Sequence, residues 1–232
     1  TLLNNIKALR SFFRSVYFIP TVTSMVAISI VWKIIFNQQT GLMNFILAKI
    51  GIDPLAWLAE SRGVFQLLLG TLGIEVPQSL GGPSLALFSI ILVTIWKGLG
   101  YNTIIYLAGL QNIPNVYYEA ADIDGAGMMQ KARYIAIPGI KGLILINFIG
   151  AVVGTIKNGG ASMLAMTGGG PYTPYGETEV AGLHIFFEAF AYLRFGTAVS
   201  MAWILGAMMV GFTIFQMKRL SNMEFKAVKG GL

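Results

Sequence analysis

Glu119 and Asp122 stand three residues apart, a spacing that puts two carboxylates on one side of a helix. Paired acids can share acid–base work, but here small and polar neighbours surround them, and they read as solvated or facing a partner. Other reactive groups are scarce. His184 is the one histidine and there is no cysteine, which removes a His/Cys metal site, a thiol nucleophile and a disulfide framework. His184 suits an interfacial or packing role. No G-x-x-x-x-G-K-[S/T] phosphate loop occurs, so the sequence offers no nucleotide site of that type. Lys97 differs from all of these because it lies inside an apolar run. An ionisable group in hydrocarbon costs roughly 2.5–3.5 kcal/mol and marks a functional position by default. The alternative is that its stem snorkels toward a helix end. Both readings stand.

The elements that would position these groups are membrane helices. Of 232 residues, 55% are hydrophobic and 11% charged, whereas a soluble domain is roughly 25% charged. The chain has too few polar groups to clothe a soluble surface. Apolar runs predict four spans, at about 16–36, 84–110, 139–155 and 196–217, and an all-α, polytopic transmembrane helical bundle. Pro20 near the start of the first costs little there. Gly98-Leu99-Gly100 beside Lys97 predicts a kink, or a polar interior face, in the second. Gly150 and Gly154 in the third would let a neighbouring helix approach closely. Two apolar stretches, 41–50 and 64–72, are too short to span.

Orientation follows from the basic residues. Lys7, Arg10 and Arg14 precede the first span; Lys131, Arg133 and Lys141 fall between the second and third; Lys218, Arg219, Lys226 and Lys229 follow the fourth. Positive residues stay on the cytoplasmic side, so both ends and the central loop are expected there. The net charge of +6 is spent at span ends and not in a stripe with aromatics, so nucleic acid is not an expected partner; the lipid bilayer is.

That central loop, 111–138, carries the most information. Pro114 and Asn115 open a helix. Glu119 sits in its early turns, Ala120 and Ala121 give helix propensity with little bulk, and Asp124-Gly125 suits a turn with a left-handed residue. A second amphipathic helix runs on to Pro138. The result is a helix–bend–helix with a small-residue patch, fit either for a groove on a partner or for lying on the bilayer as a plain connector.

Glu119-Ala120-Ala121, then Gly125, then Ile135-x-Ile137-Pro138 resembles the "EAA" signature of binding-protein-dependent ABC permeases, with Ile137 where leucine is usual. Phe13 to Pro20, Ile95 to Asn102, Leu107 to Pro114 and Met166 to Pro171 are similar to the carbohydrate-uptake branch, the membrane subunits for maltose, glycerol phosphate and multiple sugars. The resemblance implies an ABC importer (type I) permease fold, and inward movement of a sugar or related polyol across the bacterial inner membrane. It implies that Glu119, Ala120, Ala121, Asp124, Gly125, Ile135 and Pro138 couple the spans to a cytoplasmic ATPase. Implied partners are a second permease, two ATPase subunits that use ATP and Mg, and an extracytoplasmic solute-binding protein; this chain itself would bind no cofactor and catalyse nothing. Substrate contacts are expected among Thr94, Trp96, Gly98, Asn102 and Asn158, although most of the family's polar positions are not reproduced. Family members usually carry two further spans before the segment matching Phe13-Arg14, so the sequence is expected to be truncated, the alternative being a protein that pairs differently. The alternatives are an ABC permease for a non-sugar solute, and an ATP-independent carrier or scaffold; no internal repeat and no acidic residue inside a span supports a secondary carrier.

Overall fold

The computed structural model describes residues 19–70, 73–168 and 176–229, with the side chains of 155–159 and 219–229 outside that description. Lys7, Arg10, Arg14, residues 13–18 of the first flanking motif and Gly169-Gly170-Pro171 of the last therefore lie outside the described residues. Nine α-helices occur among those described: α1 (Met25–Ile35), α2 (Leu42–Lys49), α3 (Val64–Gly70), α4 (Leu85–Gln111), α5 (Asn115–Ile123), α6 (Met128–Lys131), α7 (Lys141–Thr167), α8 (Ala181–Phe186) and α9 (Phe195–Lys229), apart from short helical pieces at 19–22 and at Ile137–Gly139. One isolated antiparallel bridge, Gly63 to Ser84, is the sole β feature among them.

By length and composition, α4 and the Phe195–Lys218 part of α9 can each cross a bilayer, and Met128–Gly139 with Lys141–Gly154 qualifies as a pair bent by 65°. The expected segment 16–36 is not one helix: residues 19–22 are helical, the helix stops at Thr23, and α1 restarts at Met25. The Gly98–Gly100 run, where a kink or a polar face is expected, lies inside α4, which is helical without interruption from Leu85 to Gln111. At about 1.5 Å per residue, α4 is about 40 Å long. The third apolar helix continues past 155 to Thr167.

The chain divides into two compact units, one holding residues up to Leu99 with Ile156–Ala202, the other Gly100–Thr155 with residues from Trp203 onward. The core of the first gathers Ile28, Phe36, Trp57, Ile90, Val93, Met163, Met166 and Leu183. Within it, Trp57 stacks on Phe36 at 5.4 Å, Phe36 lies 5.1 Å from Trp32, and Trp32 meets Trp96 edge-on at 5.5 Å. Small hydroxyl residues let the helices close on this stack: Ser29 and Ser89 are fully buried and donate to Met25 O and Leu85 O, so neither hydroxyl is left without a partner.

Asn44 ties the first connection to that core. Its Nδ2 donates to Gln38 O and Leu55 O, and its Oδ1 accepts from Leu55 N and from Trp57 Nε1. All four hydrogen-bonding capacities of the amide are used while it is 4% exposed. Asn44→Ala leaves an indole N–H and backbone groups unpaired in the core, so the expected loss is about 2–4 kcal/mol. Limited proteolysis between Gln38 and Leu58 reads it directly, and an unchanged cleavage rate would contradict it.

Beyond Asn44, Gly63 passes so close to Gly81 that a Cβ would stand 2.1 Å from its carbonyl oxygen, which lets Phe65 N and Val64 N reach Gly81 O and Pro83 O. Arg62 forks onto Glu60 at 3.0 and 2.7 Å, and that hydrogen bond holds the Glu60 carboxyl below the usual carboxylate range.

In the second unit, no described residue lies within 4 Å of a Cβ at Gly150 or Gly154, which leaves both open to a neighbouring helix. Within the unit a close approach falls at Gly109, where a Cβ would stand 2.5 Å from Leu143 Cδ2. The end of α4 and the start of α7 therefore pack at glycine distance. The apolar part of α9 is only 6% buried, with Trp203 77% exposed. Such a surface belongs in lipid or against another chain.

Candidate functional site

Residues 111–139 fold as the spacing predicts, and the hydrogen bonds show why. α5 begins directly after Pro114, which serves as its N-cap, and ends at Asp124. Gly125 follows with φ +71°, a left-handed value that suits glycine. Ala126 N then donates to Ala121 O at 2.8 Å and Gly125 N to Asp122 O at 3.1 Å, the paired 6→1 and 5→2 bonds of a Schellman C-cap. Gly127 caps the next helix, its N–H held by Gln130 Oε1 at 2.7 Å. Lys131 bridges back to Asp122, tying the two short helices together across the bend.

Pro138 shapes the far end. It lacks an N–H and its ring crowds the carbonyl four residues earlier, and the preceding turn widens into a π-helix over Ala132–Ala136, with Ile137 N bonded to Ala132 O. The 65° bend into α7 follows.

Of the residues singled out in this loop, Glu119, Ala120, Asp124, Gly125 and Pro138 are exposed, whereas Ala121 and Ile135 are half-buried. Sequence reasoning missed the apolar side chains beside them. Ile123 is 88% exposed, Met128 87% and Met129 80%, so the bend carries a cluster of bare hydrophobic knobs. The legible signal was an isoleucine between two aspartates and a Met-Met pair after two glycines.

Lys97 meets backbone carbonyls and no carboxylate among the described residues. Its Nζ donates to Pro20 O at 3.1 Å and to Thr23 O at 2.9 Å, the carbonyls left over where the helix at 19–22 ends. A cation at a helix C-terminus is favoured by the partial negative charge there, and the break at Thr23–Ser24 supplies that terminus inside an apolar region.

The expected substrate contacts fare differently from one another. Thr94 Oγ1 turns back to Ile90 O on its own helix, and Trp96 is occupied edge-on by Trp32. Gly98 is half-buried within α4. The side chain of Asn158 lies outside the described residues. Asn102 is the one drawn into an inter-helix cluster: Asn147 Nδ2 on α7 donates both to Asn102 Oδ1 and, at 2.8 Å, to Tyr106 Oη. Asn147 and Tyr106 were missed, although an amide in the middle of Leu143-Ile-Leu-Ile-Asn147-Phe-Ile is a signal in its own right.

Two further groups have local neighbours, although the buried Glu188 Oε2 has no hydrogen-bond partner among the described residues. His184 Nδ1 meets Glu179 Oε1 at 2.6 Å, and no set of three or more His, Cys, Asp or Glu side chains among the described residues could hold a metal ion. Glu188, 6% exposed, lies in the π-turn Phe187–Ala191 after α8, with Arg194 at 3.7 Å.

Long apolar helices with an uncovered apolar surface, joined by an exposed bent loop, define an α-helical integral membrane protein. The chain belongs to the binding-protein-dependent transport system inner membrane components, whose family model matches residues 3–217. Among curated relatives, it is 32% identical over 211 residues to the probable ABC transporter permease protein YurN of Bacillus subtilis, covering 89% of this chain and 63% of that one. It is 31% identical over 221 residues to the lactose transport system permease protein LacF of Rhizobium radiobacter, covering 93% and 65%. The fold is shared with a bacterial ABC transporter involved in the import of the acidic polysaccharide alginate, at a TM-score of 0.75 and 19% identity, over 95% of this chain and 69% of that one. The chain spans 58–63% of the length of several curated relatives it matches.

Proposed function

We propose that this chain is the permease subunit of an ATP-driven, binding-protein-dependent importer that moves a carbohydrate or related polyol across the bacterial inner membrane. The observation that carries the reading is the Asn115–Gly139 loop: two short helices set by a Schellman cap at Gly125, tied by Lys131 to Asp122, with Ile123, Met128 and Met129 bare. Rigid, small-residue and apolar at its tip, it suits a groove on a cytoplasmic ATPase. Closure of that ATPase on ATP and Mg would be passed through the bend at Ile140 into α7, shifting a two-state equilibrium of the membrane helices. ATP hydrolysis belongs to two ATPase subunits; this chain binds no cofactor. A second permease completes the path and covers exposed apolar surface, and an extracytoplasmic binding protein delivers the solute. Both termini and the loop 111–138 face the cytoplasm, following the basic residues, with crossings near 16–36, 84–110, 139–155 and 196–217. Family membership, a relative named for lactose and a fold neighbour named for alginate support the saccharide assignment.

The test is to purify the chain from its native membrane with whatever it holds, and to assay the resulting vesicles for uptake of lactose and maltose. Co-purification of an ATPase pair, and uptake that requires both ATP and the binding protein, are expected. Uptake driven without ATP, or a chain that retains no ATPase, sinks the proposal.

A further inference from the structure

Asn102 and Tyr106 stand four residues apart on α4, one above the other on the same side of the helix, and Asn147 on α7 reaches across to both. All three side chains are half-buried, on helices of mostly apolar composition. Turning such a cluster toward hydrocarbon is unfavourable, so it serves as a tie between the two helices, lines a water-filled path or meets another chain.

What the cluster leaves over decides between a plain tie and a site. Both hydrogens of the Asn147 amide are committed, one to Asn102 Oδ1 and one to Tyr106 Oη. Asn147 Oδ1 then remains as an acceptor without a partner among the described residues. Tyr106 accepts from Asn147 and keeps its own O–H to give. An acceptor and a donor side by side match one alcohol hydroxyl, which donates and accepts at once. A tie between the helices is complete with the bond from Asn147 to Asn102 alone; the second bond serves to orient the phenol. None of the three groups is ionised, so the matching chemistry is a neutral hydroxyl and not a carboxylate or phosphate.

We infer that Asn147 and Tyr106, oriented by Asn102, bind a hydroxyl of the transported polyol during its passage and help select it. This rests on the importer reading above. Removing one hydrogen bond of this kind changes a rate or affinity by about threefold to tenfold.

The experiment uses the whole importer, with its binding protein, in vesicles. Uptake of lactose and maltose is compared with uptake of their monodeoxy derivatives, for the wild type, Asn147→Leu and Tyr106→Phe, each rate corrected for the binding protein's own affinity. In the wild type one deoxy position should be imported about tenfold more slowly than the parent sugar. Both variants should slow the parent to the rate of that derivative, erasing the difference at that position and leaving the other positions unchanged. A uniform slowing of parent and all derivatives means a helix tie and overturns the inference, as does wild-type discrimination in both variants. A wild type that imports only solutes without hydroxyls overturns the importer reading for polyols together with it, so the two failures are told apart.

Discussion

Replacing Gly125 by valine is expected to cut ATP-driven uptake at least about tenfold while the chain still inserts in the membrane. The reason lies in the backbone. Gly125 holds φ +71°, and a β-branched residue there pays of order 1–3 kcal/mol in strain. The Schellman bonds from Ala126 and Gly125 back to Ala121 and Asp122 are the cheapest to give up. Their loss unhooks α5 from α6 and moves Ile123, Met128 and Met129 off their common site. Nothing lies within 4 Å of a Cβ at this position, so the effect is not a clash inside the chain. Asparagine tolerates the left-handed region, which makes Gly125→Asn the informative companion. Near-normal uptake with asparagine and failure with valine assign the role to the bend. Equal failure of both assigns it to the close approach of a partner surface, and normal uptake with valine removes the loop from the coupling path. The readout is uptake in vesicles beside the amount of ATPase that remains with the purified permease.

The contrast between this loop and the rest shows what a sequence can carry. Pro114 and Gly125 act on their own neighbours, so the start and end of α5 are legible from the local order of residues. The long helices α4 and α9 were equally plain, because 20 or so apolar residues have few other uses. The places that were not legible depend on contacts distant along the chain. The third span is expected to end at about 155, yet α7 runs on through two glycines to Thr167, and Gly160 packs with its Cα side against Leu183, where a Cβ would meet Leu183 Cβ at 3.3 Å. Glycine there serves packing and not termination. Gly98 and Gly100 likewise leave their helix unbroken. The polar cluster was half legible: Asn102 stood out for its place in a motif, whereas Asn147 needed only to be weighed as an amide in an apolar run.

The break at Thr23–Ser24 is the clearest case of a distant cause, and it sets the second large prediction. Neither residue is a glycine or proline, and the carbonyls the break exposes are satisfied by Lys97, more than seventy positions away. Two opposing terms meet at that ammonium. Keeping a charge in an apolar region costs roughly 2.5–3.5 kcal/mol, whereas two hydrogen bonds from a charged donor are worth about 1.5–3 kcal/mol each. The bonds win by a modest margin, and only while the break exists. Lys97→Met keeps the stem, removes the charge and strands both carbonyls, so the expected net loss is about 1–3 kcal/mol, seen as a thermal midpoint lower by about 5 °C. Uptake should fall by about tenfold or more, because the segment at 19–22 and α1 lose the fixed joint between them. Lys97→Gln, which offers donors without the charge, should recover part of both losses. A snorkelling lysine predicts the reverse order, with methionine harmless because the stem alone does the packing. Methionine equal to wild type in both midpoint and uptake would therefore remove Lys97 from the break, and leave the interruption of the helix without a cause on this chain.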